Sequence, residues 1–103
     1  MRLEIFVGLT DRNGEPFDWK EIYPVFSRKI SKVGFATIFN NLEGIYRNQD
    51  DKLILEESKM ILMMLEEEEK LEEIKEVLRW FLKETDQESA LIVKDLTDFE
   101  YVE

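Results

Sequence analysis

Residues 60–65 of this chain, Met-Ile-Leu-Met-Met-Leu, are apolar without a break, between Glu-Glu-Ser-Lys on one side and four glutamates on the other. Successive side chains of a strand point to opposite faces, so a strand with one wet face alternates apolar and polar residues. Here the alternation fails: Met60, Leu62 and Met64 point one way, and Ile61, Met63 and Leu65 the other. Both faces of such a strand need a cover, and 103 residues offer little material for two. A second copy of the chain is the simplest second cover, which predicts a homodimer.

The length suits one hydrophobic core, and a single domain over residues 1–103 is expected. An apolar content of 44% belongs to a folded globule rather than a disordered chain. Fourteen basic residues stand against 24 acidic ones, a formal net charge of −10. Nucleic acid is thereby disfavoured as a partner, because neutralising phosphates takes a basic stripe. Anionic membrane surfaces are disfavoured for the same reason. The plain meaning of the charge is solubility; a decoy that imitates the negative surface of DNA is a more specialised one.

There is no cysteine and no histidine. Disulfides, thiol nucleophiles, thiolate metal sites and the Ser-His-Asp arrangement are therefore impossible, and the commonest general base is missing. The four glycines are scattered at 8, 14, 34 and 44 and form no phosphate-binding loop. Residues 66–69 are consecutive glutamates at a helix start, and side chains that diverge around an axis do not converge on a hard cation. No cofactor and no metal are expected. The chain opens without an apolar signal-peptide core, and no apolar run approaches the ~18 residues of a membrane span; a soluble cytoplasmic protein is expected.

Residues 2–9 alternate as a strand, with Leu3, Ile5, Val7 and Leu9 on one face. Asp11-Arg12-Asn13-Gly14 is turn chemistry. Asp18 is placed to cap a helix, with Phe17 and Ile22 as its hydrophobic staple. Trp19, Ile22, Phe26, Ile30 and Val33 recur at helical spacing up to Gly34, and Pro24 predicts a kink or a broken first turn. Residues 35–47 read as a second strand with Gly44 as a bulge, and 52–65 as its return, bent near Glu56-Glu57. Residues 66–84 carry a helical stripe of Leu71, Ile74, Leu78 and Phe81, with Glu66 and Lys70 as an ion pair. Residues 88–94 make a last strand, and Phe99, Tyr101 and Val102 in the tail alternate as if pairing with something. The order β-α-β-β-α-β with right-handed crossovers predicts an α+β, ferredoxin-like antiparallel sheet with two helices on one face.

Glu56-Glu57-Ser58-Lys59 is the densest polar cluster beside a buried strand. Alternation puts Glu56 and Ser58 on one face and Glu57 and Lys59 on the other. A partly desolvated Glu56 would have a raised pKa and could serve as acid or base; the plainer reading is the solvated outer half of a hairpin. Tyr46 and Arg47 face this cluster across the hairpin, which would supply a phenol donor and an Arg–carboxylate pair. Asn40-Asn41 reads as strand-end or bulge chemistry. Trp19 and Trp80 read as core or interface anchors rather than a ligand box.

Phe6-Val7-Gly8-Leu9-Thr10, Gly34-Phe35-Ala36-Thr37, Gly44-Ile45-Tyr46-Arg47, the Glu-x-Ser-Lys of residues 56–59 and the Gln-x-Ser of residues 87–89 together resemble a small bacterial domain family of unknown function. Pro24 and the glutamate run depart from that family's pattern. The resemblance implies a ferredoxin-like fold and no established activity. If the matching positions mark a shared site, it comprises Tyr46, Arg47, Glu56, Ser58, Lys59, Gln87 and Ser89. The leading expectation is a homodimeric binding or structural module with its open sheet faces together, with a small-molecule ligand compatible with it. The alternatives are a cofactor-independent enzyme of the dimeric α+β-barrel type, with Glu56 as acid or base beside Tyr46 and Arg47, and the acidic decoy.

Overall fold

The alternation of residues 2–9 becomes β1 (Arg2–Gly8), whose Leu3, Ile5 and Val7 are buried. In the computed structural model, which describes residues 1–95 and 98–103, the elements that follow are α1 (Trp19–Val33), β2 (Ala36–Arg47), β3 (Leu53–Met64), α2 (Lys70–Glu84), β4 (Ala90–Lys94) and β5 (Asp98–Val102). One sheet holds all five strands in the order β2-β3-β1-β4-β5, with every neighbouring pair antiparallel. This is the expected α+β plait, with β3 and β1 at its centre and a fifth strand added beside β4.

The apolar run splits by strand parity. Ile61 and Met63 are buried on the helix side, with Leu65 buried just past the strand, while Met60 and Leu62 are half-buried and Met64 is 64% exposed on the other side. The core lies between the sheet and the two helices. It joins Leu3, Ile5, Ile61, Met63 and Ile92 of the sheet to Phe26 and Ile30 of α1 and Ile74, Leu78 and Phe81 of α2. Phe26 and Phe81 meet with ring centroids 5.1 Å apart, and Phe17 and Trp19 each pack edge-on against Phe81 at 6.0 Å. Such tilted contacts let the positive edge of one ring meet the negative face of the next. Among the described residues, no helix lies on the opposite sheet face.

Several local expectations are corrected. Helix α1 runs unbroken across Pro24. Asp18 caps it as expected, its carboxylate accepting from the amide of Lys20 at 3.0 Å. The register shift of β2 falls between Phe39 and Leu42 and not at Gly44, and Asn41 takes the left-handed conformation there (φ 61°). Strand β3 pairs without a register shift through Glu56-Glu57 against β2. Residues 66–69 form turns that lead into α2, and Lys70 pairs with Glu73 at 3.2 Å rather than with Glu66. The tail pairs within its own chain: Ala90 to Lys94 face Val102 to Asp98, and Val102 is buried. The Phe99 side chain lies outside the described residues. Glu100 ties this strand to its neighbours through Lys75 of α2 at 2.8 Å and Lys94 of β4 at 3.2 Å.

Candidate functional site

Two glycines make the site. Gly8 ends β1 and Gly44 lies in β2, and β3 runs between them with Gly44 opposite Glu56 and Gly8 opposite Ser58. A Cβ at Gly8 would overlap the Glu56 carboxyl group, and one at Gly44 would sit 3.7 Å from Glu56 Cγ and 3.9 Å from Ser58 Oγ. Glycine inside a strand marks a place where another group approaches closely. The approaching group here is Glu56, which lies across β1 in a furrow on the helix-free face of the sheet.

Loops from both sides wall this furrow. After Gly8 the chain leaves the sheet through Thr10, whose hydroxyl donates to Glu56 Oε2. Asp11 turns the loop by accepting the amides of Asn13 at 2.8 Å and Glu15 at 3.0 Å. Arg12 ties that loop to the end of α2, through its amide to Asp86 O at 2.8 Å and its guanidinium to the Asp86 carboxylate at 2.9 Å. Gln87 then reaches back, its Nε2 donating to Gly8 O at 3.0 Å and to Thr85 Oγ1 at 2.9 Å. The resulting cleft has a volume of about 490 Å³. Phe6 and Leu91 give it an apolar floor, and residues 43–47 form the wall opposite Gln87, Glu88 and Ser89.

The cleft is electronegative. Asp11, Glu43, Glu56 and Glu88 line it against Arg12 and Arg47, and both guanidinium groups are turned to carboxylates outside the cleft. Arg12 holds Asp86, and Arg47 holds Asp51, with Nη1 donating to its carbonyl at 3.0 Å. Among the described residues, Glu56 pairs with no cation. Burial pushes its pKa above the ordinary carboxylate value, and the Thr10 hydrogen bonds only partly offset this. Burial also raises the Tyr46 phenol, with the negative charges of Glu56, Glu88 and Asp11 adding to the effect. Tyr46 therefore keeps its proton at neutral pH and remains a hydrogen-bond donor.

Six of the seven residues singled out in the sequence line this cleft: Tyr46, Arg47, Glu56, Ser58, Gln87 and Ser89. Lys59 does not. Strand parity turns it to the helix side, where it is buried against Trp19 and Asn40. The pairing of Arg47 with the Glu56 cluster is replaced by its contact with Asp51. Sequence reasoning missed Thr10, Asp11, Arg12 and Glu88. The available sign for Thr10 was a hydroxyl just beyond a strand ending in glycine. Arg12 carried no sign, because its partner Asp86 is remote in the chain. Among the described residues no cluster of acidic side chains is arranged to hold a metal ion, and no helix is long and apolar enough to cross a membrane.

No family model matches this chain, and no curated protein matches it. Two solved structures share its fold. A phage SAM lyase in complex with S-methyl-5′-thioadenosine superposes with a TM-score of 0.75 at 19% identity, over 98% of this chain and 87% of the lyase chain. A phage SAM lyase in its apo state gives a TM-score of 0.67 at 18% identity, over 97% of this chain and 78% of that one. The likeness covers nearly the whole chain and establishes the fold.

Proposed function

We propose that this chain is a small-molecule enzyme that binds a positively charged nucleoside in the Gly8–Gly44 cleft, with S-adenosylmethionine as the substrate. One observation carries the reading: a half-buried carboxylate, Glu56, seated between two glycines and, among the described residues, lacking a cation of its own. A carboxylate withdrawn from water gains most from a charged partner that arrives with the ligand. The cleft volume lies in the range of small-ligand sites, roughly 300–1,000 Å³, and the two solved structures similar to this chain are of proteins named for action on S-adenosylmethionine.

S-Adenosylmethionine and S-methyl-5′-thioadenosine differ by the four-carbon amino-acid arm on sulfur. Breaking the bond between sulfur and that arm leaves the electron pair on sulfur while the arm's own carboxylate closes on its γ-carbon as a lactone, so a sulfonium cation becomes a neutral thioether with no further reactant. A site that excludes water favours this loss of charge, and the floor of Phe6 and Leu91 supplies such surroundings. A carboxylate pressed against sulfur would instead hold the cation in its ground state. Glu56 is therefore assigned to the arm, where it accepts the α-ammonium group. Tyr46 donates its phenol to the ligand, and Ser58, Gln87 and Ser89 offer neutral hydrogen-bonding groups to the nucleoside.

Calorimetric titration with S-adenosylmethionine, beside chromatographic detection of S-methyl-5′-thioadenosine, tests both halves. The parent protein should bind and convert the compound. Glu56→Gln should lose about 10- to 100-fold in affinity, the worth of a charge-assisted hydrogen bond of ~1.5–3 kcal/mol. Affinity in the parent should rise with pH through the raised pKa of Glu56, because only the ionised form attracts the cation, and this dependence should vanish in the variant. Neither binding nor conversion at millimolar ligand would dispose of the reading.

A second reading, homodimerisation through the helix-free sheet face, is favoured by the half-buried row of Phe6, Met60, Leu62 and Leu91 and by exposed Met64. Two copies face to face would also cover the mouth of the cleft, which opens on the same side. Solution mass tests it.

A further inference from the structure

Lys59 is the residue of the Glu-x-Ser-Lys cluster that the cleft leaves unused. It is only 9% exposed, yet it has no carboxylate partner among the described residues, in a chain where 24 of 103 residues are acidic. Its ammonium group has three donors. One goes to Asn40 Oδ1, and the Trp19 ring lies under the charge with its centroid 5.0 Å from Nζ. An ammonium group withdrawn from water is best compensated by an anion, and a neutral amide and one indole face compensate only in part.

This ammonium group opens into a hollow of about 740 Å³ between α1 and the edge strand β2. Trp19, Lys20, Tyr23, Ile38, Asn40 and Asn41 are among its walls. The bulge at Asn40-Asn41 deflects β2 here, with Asn41 left-handed. Among the described residues, two lysines and no carboxylate line the hollow, whereas four carboxylates line the cleft on the other face of the sheet. The Asp18 carboxylate nearby is engaged in capping α1 and is not part of the wall. Trp19 and Tyr23, with ring centroids 5.4 Å apart, give the hollow an aromatic side.

We propose that this hollow binds a small organic carboxylate, with the ligand's carboxylate on Lys59 Nζ and Asn40 and its apolar body on Trp19 and Tyr23. Charge selects an anion, and the aromatic wall selects an organic one over inorganic phosphate, which has no apolar part to bury. The site is separate from the Glu56 cleft and does not depend on what that cleft binds.

The test uses benzoate as the probe, at ionic strength held constant with sodium chloride, with inorganic phosphate in a parallel titration. The two indole N–H resonances report on it, because Trp80 sits elsewhere, under Lys29 at 4.9 Å. Benzoate should shift the Trp19 resonance saturably and leave Trp80 in place, and phosphate should bind at least tenfold more weakly. Lys59→Met should weaken benzoate binding at least tenfold. Asn40→Asp should do the same while keeping the fold, because it supplies Lys59 with a built-in carboxylate, and it decides the matter if Lys59→Met fails to fold. A shift that does not saturate, tighter binding of phosphate, or undiminished benzoate affinity in Asn40→Asp would overturn the proposal.

Discussion

At the scale of single residues the site is a matter of what glycine leaves out. Without a Cβ at Gly8, the Glu56 carboxyl group lies across β1, half-buried and held by the Thr10 hydroxyl. That position carries a cost in the free protein, and the cost depends on pH. Burial raises the pKa of Glu56 in the folded state above its ordinary value of 4.5. A group of this kind contributes stability that is fully present below the unfolded value and is lost as pH rises through the folded one. Glutamine has the same shape, accepts the Thr10 hydroxyl and has no charge to desolvate. Glu56→Gln should therefore match the parent near about pH 4 and become the more stable of the two toward about pH 7.5, as read from urea midpoints at both pH values. A variant that loses stability at neutral pH would show that the ionised carboxylate is favoured in the fold. The same substitution should weaken ligand binding, so opposite signs for stability and affinity at one residue would mark Glu56 as kept for function.

At the scale of elements, tertiary packing decides between conflicting local preferences. Pro24 is the sixth residue of α1 and cannot donate to the carbonyl of Lys20, yet the helix passes through it. The reason lies on the opposite face, where Trp19 and Phe26 meet at 5.6 Å and Phe26 is fully buried against Phe81. Pro24 itself faces solvent. Pro24→Ala should restore the missing hydrogen bond and raise stability by about 1–3 kcal/mol, reduced by ~0.4–1 kcal/mol for the looser unfolded chain. Equal urea midpoints would mean that the freed carbonyl is already satisfied. The elements legible in the sequence were those whose periodicity and packing agree: the alternation of β1, and the stripe of Ile74, Leu78 and Phe81 in α2. Both Gly44 and Asn40-Asn41 read as bulge positions because glycine and asparagine each permit one, and only the register across β2 and β3 chooses Asn40-Asn41. Helix α2 starts later than its glutamates suggested. Glu69 makes no side-chain cap, and adjacent like charges gain little by being fixed on a helix.

At the scale of the whole molecule, strand order gathers into one cleft residues from five regions of the chain, Tyr101 of β5 among them, and that gathering was only partly readable. Alternation alone put Glu56 with Ser58 and apart from Lys59, while the joining of the loops at Arg12 and Asp86 depends on a fold-level neighbourhood that no local pattern records. The two-sided apolar run, in contrast, described the whole molecule correctly in one respect: helices cover Ile61 and Met63, and the face of Met60, Leu62 and Met64 has no helix over it. Adjacent residues of β3 therefore separate folding from assembly. Met63 is 1% exposed in the core, and a glutamate there would bury an unpaired carboxylate at a cost of several kcal/mol, a large part of a total stability of ~5–15 kcal/mol. Met63→Glu should unfold the chain. Met64 faces out, and Met64→Glu should leave the circular dichroism spectrum and the urea midpoint nearly unchanged. Light scattering across a dilution series should then give the parent about twice its 12.4 kDa chain mass and Met64→Glu a single chain, because a charge on the facing surface would meet its own copy across a two-fold interface. A parent that remains a single chain at high concentration would remove the homodimer and leave the cleft open to solvent, whereas a dimer indifferent to Met64→Glu would place the contact away from this sheet face.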